Sequence, residues 1–307
     1  MTREVQSSGT VLMVRPASFG FHAEAAASNA FASHAEDAEP ASAAQREFDA
    51  AAGALDDAGV QVLILDDARD PARPDAVFPN NWVSFHGDGT MVVYPMATTA
   101  RRLERNVEEL GSRVSSAGYK IERTVDLSEM EHHGHFLEGT GSLILDRPRR
   151  RAFAALGPRT SREAIEIFDQ SLGYRTTLFD ACDRSGRPIY HTNVMLSLGT
   201  SFALFCGDVV PDEQRGAIRR ELDQTGRSLI EVDYEQMRGF ACNLIELRGR
   251  DGPLIALSSA ARRSFRAGQL SELERHGALV EADIPTIERV GGGSLRCMIA
   301  DVHLPRS

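Results

Sequence analysis

The residue types that could carry covalent chemistry in this chain are few, and they recur at a regular place. Cys297 stands behind Gly291-Gly292-Gly293-Ser294-Leu295-Arg296, so a thiol follows a glycine run that leaves room for a small molecule to approach the backbone. Elsewhere the chain offers Glu138 ahead of Gly139-Thr140-Gly141-Ser142, His191 with Asn193 two residues on, Asn80-Asn81 after Phe78-Pro79, and Cys242-Asn243. A thiolate attacks a polar carbon, an imidazole moves protons, a carboxylate accepts hydrogen bonds, and a carboxamide both donates and accepts. Together these are the parts of a covalent mechanism with acid/base help. Read singly, each has a plainer role. Cys297 is then a small apolar residue in a strand after a glycine turn, and Asn81 and Asn193 are loop residues that close turns.

The elements that must position these groups follow from the hydrophobic pattern. Residues 11–16 read as a strand stopped by Pro16, and an Ala/Ser/His-rich loop over 22–45 passes into an amphipathic helix ending at Gly59. Residues 60–65 read as a strand, and 81–86 with 90–95 as a hairpin around Gly87-Asp88-Gly89. The order then recurs. Helix 100–117 and strand 120–125 lead to the Glu138 stretch and strand 151–156; helix 161–172 and strand 174–179 lead to the His191 stretch and strand 201–206. Helix 212–224 and strand 228–232 lead to the Cys242 stretch and strand 253–258; helix 268–276 and strand 278–282 lead to the Cys297 strand, which strand 11–16 would complete. Repeats of roughly 50–60 residues cannot bury their own apolar faces, so they stack or close. In a closed ring, equivalent strands aim their ends at one centre. Asn81, Glu138, His191, Asn193, Cys242 and Cys297 would meet there.

Composition sets the class. With 307 residues, 42% hydrophobic and 25% charged, the chain can bury a large core. Residues 1–10 read as a disordered lead and 11–307 as one catalytic domain. Lys+Arg 34 against Asp+Glu 44 leaves a net charge of −10, which argues against nucleic-acid or anionic-membrane partners and leaves a small molecule as the expected one. The first ten residues lack the apolar core of a secretory signal and no stretch is long enough to span a bilayer, so a cytoplasmic protein is expected. Cys182, Cys206, Cys242 and Cys297 lack paired spacings, which predicts reduced thiols. Homo-oligomerisation is compatible with the sequence but nothing in it demands that state.

The motifs carry a resemblance. Phe78-Pro79-Asn80-Asn81, Phe136-Leu137-Glu138-Gly139-Thr140-Gly141-Ser142, His191-Thr192-Asn193 and Gly291 through Cys297, in that order, resemble the guanidine-modifying superfamily, also called the amidinotransferase or pentein fold. The pattern is most similar to its bacterial citrulline hydrolases, with arginine deiminase and dimethylarginine dimethylaminohydrolase as relatives. The resemblance implies an α/β fold, a five-bladed ββαβ propeller with pseudo-fivefold symmetry. It implies Cys297 as nucleophile, His191 as general acid/base, Glu138 as the carboxylate holding the substrate nitrogens, and Asn81, Asn193, Asn80 and Phe78 as substrate-binding residues, with no cofactor and no metal. Deiminases of the family clasp a guanidinium between aspartates where this chain has Asn81 and Asn193. Neutral amides suit a ureido group, so citrulline hydrolysis to ornithine, ammonia and CO2 through an S-carbamoyl enzyme is expected. The alternatives are arginine deiminase, dimethylarginine dimethylaminohydrolase or amidinotransferase activity, or a catalytically silent binding protein.

Weaker signals complete the reading. His132, His133 and His135 crowd one loop without a second ligand cluster, which reads as a lid over the pocket rather than a metal site. His86 is expected to face solvent from its hairpin. Arg15, Arg159, Arg184 and Arg296 are the candidates for an α-carboxylate, and Cys242 for pocket wall.

Overall fold

Short apolar runs broken by turn residues give strands, and Ala- and Leu-bearing stretches at helical spacing give the helices that cover them. The computed structural model describes residues 4–34 and 39–307. Its strands are β1 (Thr10–Arg15), β2 (Gln61–Asp66), β3 (Val83–Phe85), β4 (Thr90–Val93), β5 (Arg123–Asp126), β6 (Ile144–Asp146), β7 (Arg151–Leu156) and β8 (Arg175–Asp180). They continue as β9 (Leu196–Leu198), β10 (Phe202–Phe205), β11 (Ser228–Glu231), β12 (Ile245–Gly249), β13 (Gly252–Ser258), β14 (Ala278–Ala282) and β15 (Ala300–Asp301). Among the described residues they form five sheets of three, ordered β3-β4-β5, β6-β7-β8, β9-β10-β11, β12-β13-β14 and β15-β1-β2.

Each sheet repeats one plan. Two antiparallel strands come first, and the third pairs parallel to the second. A parallel neighbour needs a crossover, and helical chain supplies it every time. The helix Pro40–Asp57 joins β1 to β2, burying Ala44, Phe48, Ala51, Ala52 and Leu55 along one stripe. The helix Arg162–Leu172 joins β7 to β8, buries Ala164, Ile165, Phe168 and Leu172, and stops at Gly173 in the left-handed region. The first strands of the units touch one another, β15 against β3, β6 against β9 and β9 against β12.

The structure moves several boundaries. A unit starts at its reactive stretch rather than at its helix, so strand 278–282 closes the fourth sheet, and the fifth joins β15 to β1 and β2. The expected helix 100–117 is broken at Arg105-Asn106 into a short turn and the helix Val107–Ser116, which Asn106 caps. Within the expected disordered lead, residues 4–10 are placed and bonded. Ser7 and Ser8 are buried, Glu4 pairs with Arg147, and Gln6 donates to Leu145 O and Leu198 O. Residues 1–3 lie outside the described part. His86 is buried rather than solvent-facing. Its ring accepts or donates at Ser84 Oγ, 2.9 Å away, and packs near Phe168 and Tyr174. Among the described residues no helix is long and apolar enough to cross a membrane.

Candidate active site

The reactive residues sit on short helical turns just ahead of the first strand of each unit. Asn80 and Asn81 lie in the turn Pro79–Asn81, Glu138 precedes Gly139–Ser142, His191 precedes Thr192–Val194, and Cys297 lies within Leu295–Met298. The predicted Cys297 strand therefore begins later, at Ala300. A turn at this point leaves the side chain free of a sheet ladder.

Cys297, His191, Asn81 and Phe78 line one cavity of about 270 Å3, with Asp75, Arg101, Arg159 and Tyr190. The glycine run has a tighter task than substrate access. A Cβ on Gly291 or Gly293 would lie 2.8 or 2.9 Å from the Phe78 ring, and Gly292, at φ +65°, would place one 2.5 Å from Ala32 N. The run is what allows Phe78 and the segment around Ala32 to close on the thiol.

The sulfur meets carboxamides. Asn193 Nδ2 and Asn243 Nδ2 donate to Cys297 Sγ at 3.3 and 3.2 Å. Arg296 N donates to Asn243 Oδ1 at 3.1 Å, which turns the NH2 of that amide toward the thiol. Asn193 thus faces the sulfur and is absent from the lining of that cavity. Asn80 also stays out of the lining, with Asn80 Oδ1 accepting from Asn81 Nδ2 at 2.9 Å. Asn243 is marked by its position in the fourth unit but given no role, while its neighbour Cys242 reads as pocket wall.

The imidazole meets charge. His191 Nε2 lies 2.8 Å from Glu138 Oε2, and Glu138 also holds Arg159 Nη1 at 3.3 Å and accepts from Ala97 N at 3.1 Å. Glu138 is fully buried and absent from the cavity lining, and its carboxylate turns to His191 and Arg159. Burial favours a neutral Glu138, but Arg159, His191 and Arg101 outweigh it and hold the carboxyl well below its usual range. Burial pushes His191 down to about 4 despite Glu138, with Arg159 and Arg101 pushing the same way. A neutral ring facing an ionised carboxylate carries its proton on Nε2 and leaves the Nδ1 lone pair free. The resting imidazole is therefore a proton acceptor.

Among the arginines, Arg159 is the expected candidate that reaches the cavity; Arg15 and Arg184 pair on the surface with Asp49 and Glu235, and Arg296 lines a different space. Arg159 also donates to Ala25 O and Ser28 Oγ, tying down residues 22–33. Ala25 and Asn29 of that segment line the cavity, so it takes the covering role expected of the His132 loop. Sequence reading missed Arg101. It is 2% exposed, holds Glu104 with Nε and Nη2 at 2.9 Å each, and donates through Nη1 to Asn81 Oδ1 at 2.8 Å. Nothing in its local pattern marks it as buried. Among the described residues no cluster of three or more His, Cys, Asp or Glu is placed to hold a metal ion.

Comparison with known proteins accords with this geometry. The solved cyanobacterial arginine dihydrolase ArgZ, from the ornithine-ammonia cycle, superposes with a TM-score of 0.75 at 16% identity, covering 97% of this chain and 41% of its own. The present chain thus spans about two fifths of that protein. ArgZ's N-terminal domain bound to substrate is matched over 96% of this chain and 99% of its own, at a TM-score of 0.72 and 16% identity. A dimethylarginine dimethylaminohydrolase adduct with S-methyl-L-thiocitrulline gives 0.66 at 14% identity, covering 95% and 98%. These relatives share the mixed α/β fold and are hydrolases of arginine derivatives. No curated protein sequence matches the chain. The family model described as N,N dimethylarginine dimethylhydrolase, eukaryotic, matches residues 15–304, and the chain belongs to that family.

Proposed function

We propose that this chain is a cysteine-dependent hydrolase of the ureido or guanidino carbon of an arginine-related amino acid, with citrulline its best-suited substrate. One observation carries the reading: Cys297, with two amide donors on its sulfur, shares a cavity with a neutral His191 locked by Glu138. His191 Nδ1 takes the thiol proton as sulfur adds to the carbon, then gives it to the departing ornithine nitrogen. The C–N bond breaks and an S-carbamoyl enzyme remains. Water then adds to that carbonyl, the C–S bond breaks, and the carbamic acid falls apart to ammonia and CO2. Arg159 supports binding of the substrate carboxylate, and Asp75 of its ammonium group.

The ureido preference rests on Asn81. Its Oδ1 accepts from Arg101 and one N–H goes to Asn80 Oδ1, so what it offers the substrate is its second N–H, a donor that a carbonyl accepts and a guanidinium does not. A guanidino substrate is the second reading, favoured by the family to which the chain belongs and by the Asp75 carboxylate in the cavity lining. The contacts of β3 with β15, and of β9 with β6 and β12, support closure of the five sheets into a five-bladed propeller.

The test is turnover of citrulline, arginine and dimethylarginine side by side, with the protein quenched and weighed by mass spectrometry. A carbamoyl adduct on Cys297 with citrulline, lost together with ammonia release in Cys297→Ala, is expected. Equal turnover of arginine ends the ureido preference, and activity in Cys297→Ala ends the mechanism.

A further inference from the structure

A second cavity, of about 480 Å3, is lined by neighbours of Cys297 though not by Cys297 itself. Asn193 lines it while donating to Cys297 Sγ, and Arg296, the residue before Cys297, lines it too. One carboxamide therefore separates this space from the sulfur. Its wall is polar where it need not be. Asn193 Oδ1 and Ser197 Oγ are buried and have no protein partner among the described residues, their residues being 1% and 6% exposed. Orphaned oxygens of this kind in a roomy polar wall are satisfied by ordered water. Gln6 spans the outer end of the space, its Nε2 donating to Leu145 O at 2.9 Å and to Leu198 O at 3.3 Å, while its Oε1 accepts from Arg147 N at 3.1 Å.

The first cavity poses the problem this space can solve. Phe78, Tyr190 and the segment tied down by Arg159 line it, and the departing amine occupies it when the thiocarbamate forms. Water from that side must wait for the amine to leave.

We propose that the second cavity is a hydration site that supplies the water consumed in the second half-reaction, entering past Asn193. This rests on the covalent reading above. The water oxygen bonds to the S-carbamoyl carbon, the C–S bond breaks, one water proton goes to His191 and the thiolate leaves with the electron pair. The proton then returns to sulfur, restoring the resting thiol and neutral ring. Asn193 is a positioning residue in this scheme, its Oδ1 holding the incoming water and its NH2 holding sulfur.

The variant that tests it is Ser197→Leu, which fills the cavity without touching the substrate side. It is expected to lower kcat about tenfold with kcat/KM for citrulline nearly unchanged, since the acylation half-reaction is spared. The carbamoyl adduct on Cys297 should accumulate in quenched samples, with a burst of ornithine. Ser197→Val, a smaller change for a cavity that resists Leu, is expected to act the same way more weakly. Unchanged kcat in both well-folded variants, or an equal fall of kcat and kcat/KM, overturns the proposal. A crystal structure of the wild-type protein gives a readout free of activity: waters on Asn193 Oδ1 and Ser197 Oγ are expected, and a dry cavity refutes the hydration site. If the wild-type protein forms no adduct with any of the three substrates, the covalent reading fails and the supply role falls with it. Bound waters together with unaffected variants overturn the supply role alone.

Discussion

On the His191 side of the cavity the contacts are ionic, with Glu138 held between His191, Arg159 and Arg101; on the Cys297 side the sulfur meets two neutral amides, Asn193 and Asn243. The contrast separates two tasks. The Glu138 carboxylate fixes the tautomer of His191, while burial, aided by Arg159 and Arg101, keeps the ring neutral. In the function proposed above, the amides stabilise developing charge on sulfur without adding a net charge to the cavity that would hold the ureido group. A site that used charge on both sides would bind ions better and neutral ureas worse.

The contrast can be broken from either side. The largest effect is expected for His191→Ala, which removes the proton carrier and should cost about 10²–10⁴ in kcat, measured by ammonia release. A variant that keeps more than a tenth of the activity shows that the ionic half does not handle the proton. Next comes Asn243→Ala. Loss of one donor to a charged sulfur corresponds to about 1.5–3 kcal/mol, or roughly 10- to 150-fold in kcat/KM. In a double-mutant cycle with Asn193→Ala the two should couple, because both hydrogen bonds end on one atom.

The pH dependence sharpens the ionic half. A His191 pKa of about 4 places the acid limb of kcat/KM near pH 4, whereas a limb near 6.5 would mean an exposed, charged ring. Stability follows the same sign. Between the ordinary imidazole value and 4 the unfolded chain binds the proton and the folded one does not, so stability falls as pH drops through that window. His86 and His303, pushed down by burial, add to the slope, while His22, raised by its bond to Asp75, opposes it. Comparing urea midpoints of wild type and His191→Gln across that range isolates the one residue, and identical slopes would refute the shift.

The smallest effect on chemistry and the clearest on structure is expected for Gly292→Ala. A residue with a Cβ at φ +65° costs roughly 1–2 kcal/mol, and the contact with Ala32 N adds to it. Thermal melting should show that loss, and kcat should survive where the fold does.

Much of the fold was legible in the chain because two periodicities alternate clearly. Apolar stretches of strand length and stripes such as Ala44, Phe48, Ala51 and Leu55 announce their elements without help from the rest of the protein. What stayed hidden depended on distant partners. Glu138 carries the right chemistry, but its pairing with His191 joins two different units and is visible only once they meet. Arg101 reads as an ordinary charged surface residue until Glu104, Asn81 and Asp75 surround it. Asn193 and Asn243 were marked by position, yet their common target is visible only once the two units meet at sulfur. His86 was misread because burial beside Phe168 and Tyr174 leaves no trace in an alternating hairpin.

The sheet beside the thiol pairs Val11 and Leu12 of β1 with Asp301 and Ala300 of β15. Segments from opposite ends of the described chain must therefore find each other before Cys297 reaches its neighbours, and such long loops are entropically slow to close. Were the other four sheets to form first, the His191–Glu138 pair would be in place before the thiol. Enzyme activity is then a late marker of folding, and its recovery on refolding should trail the recovery of helical signal.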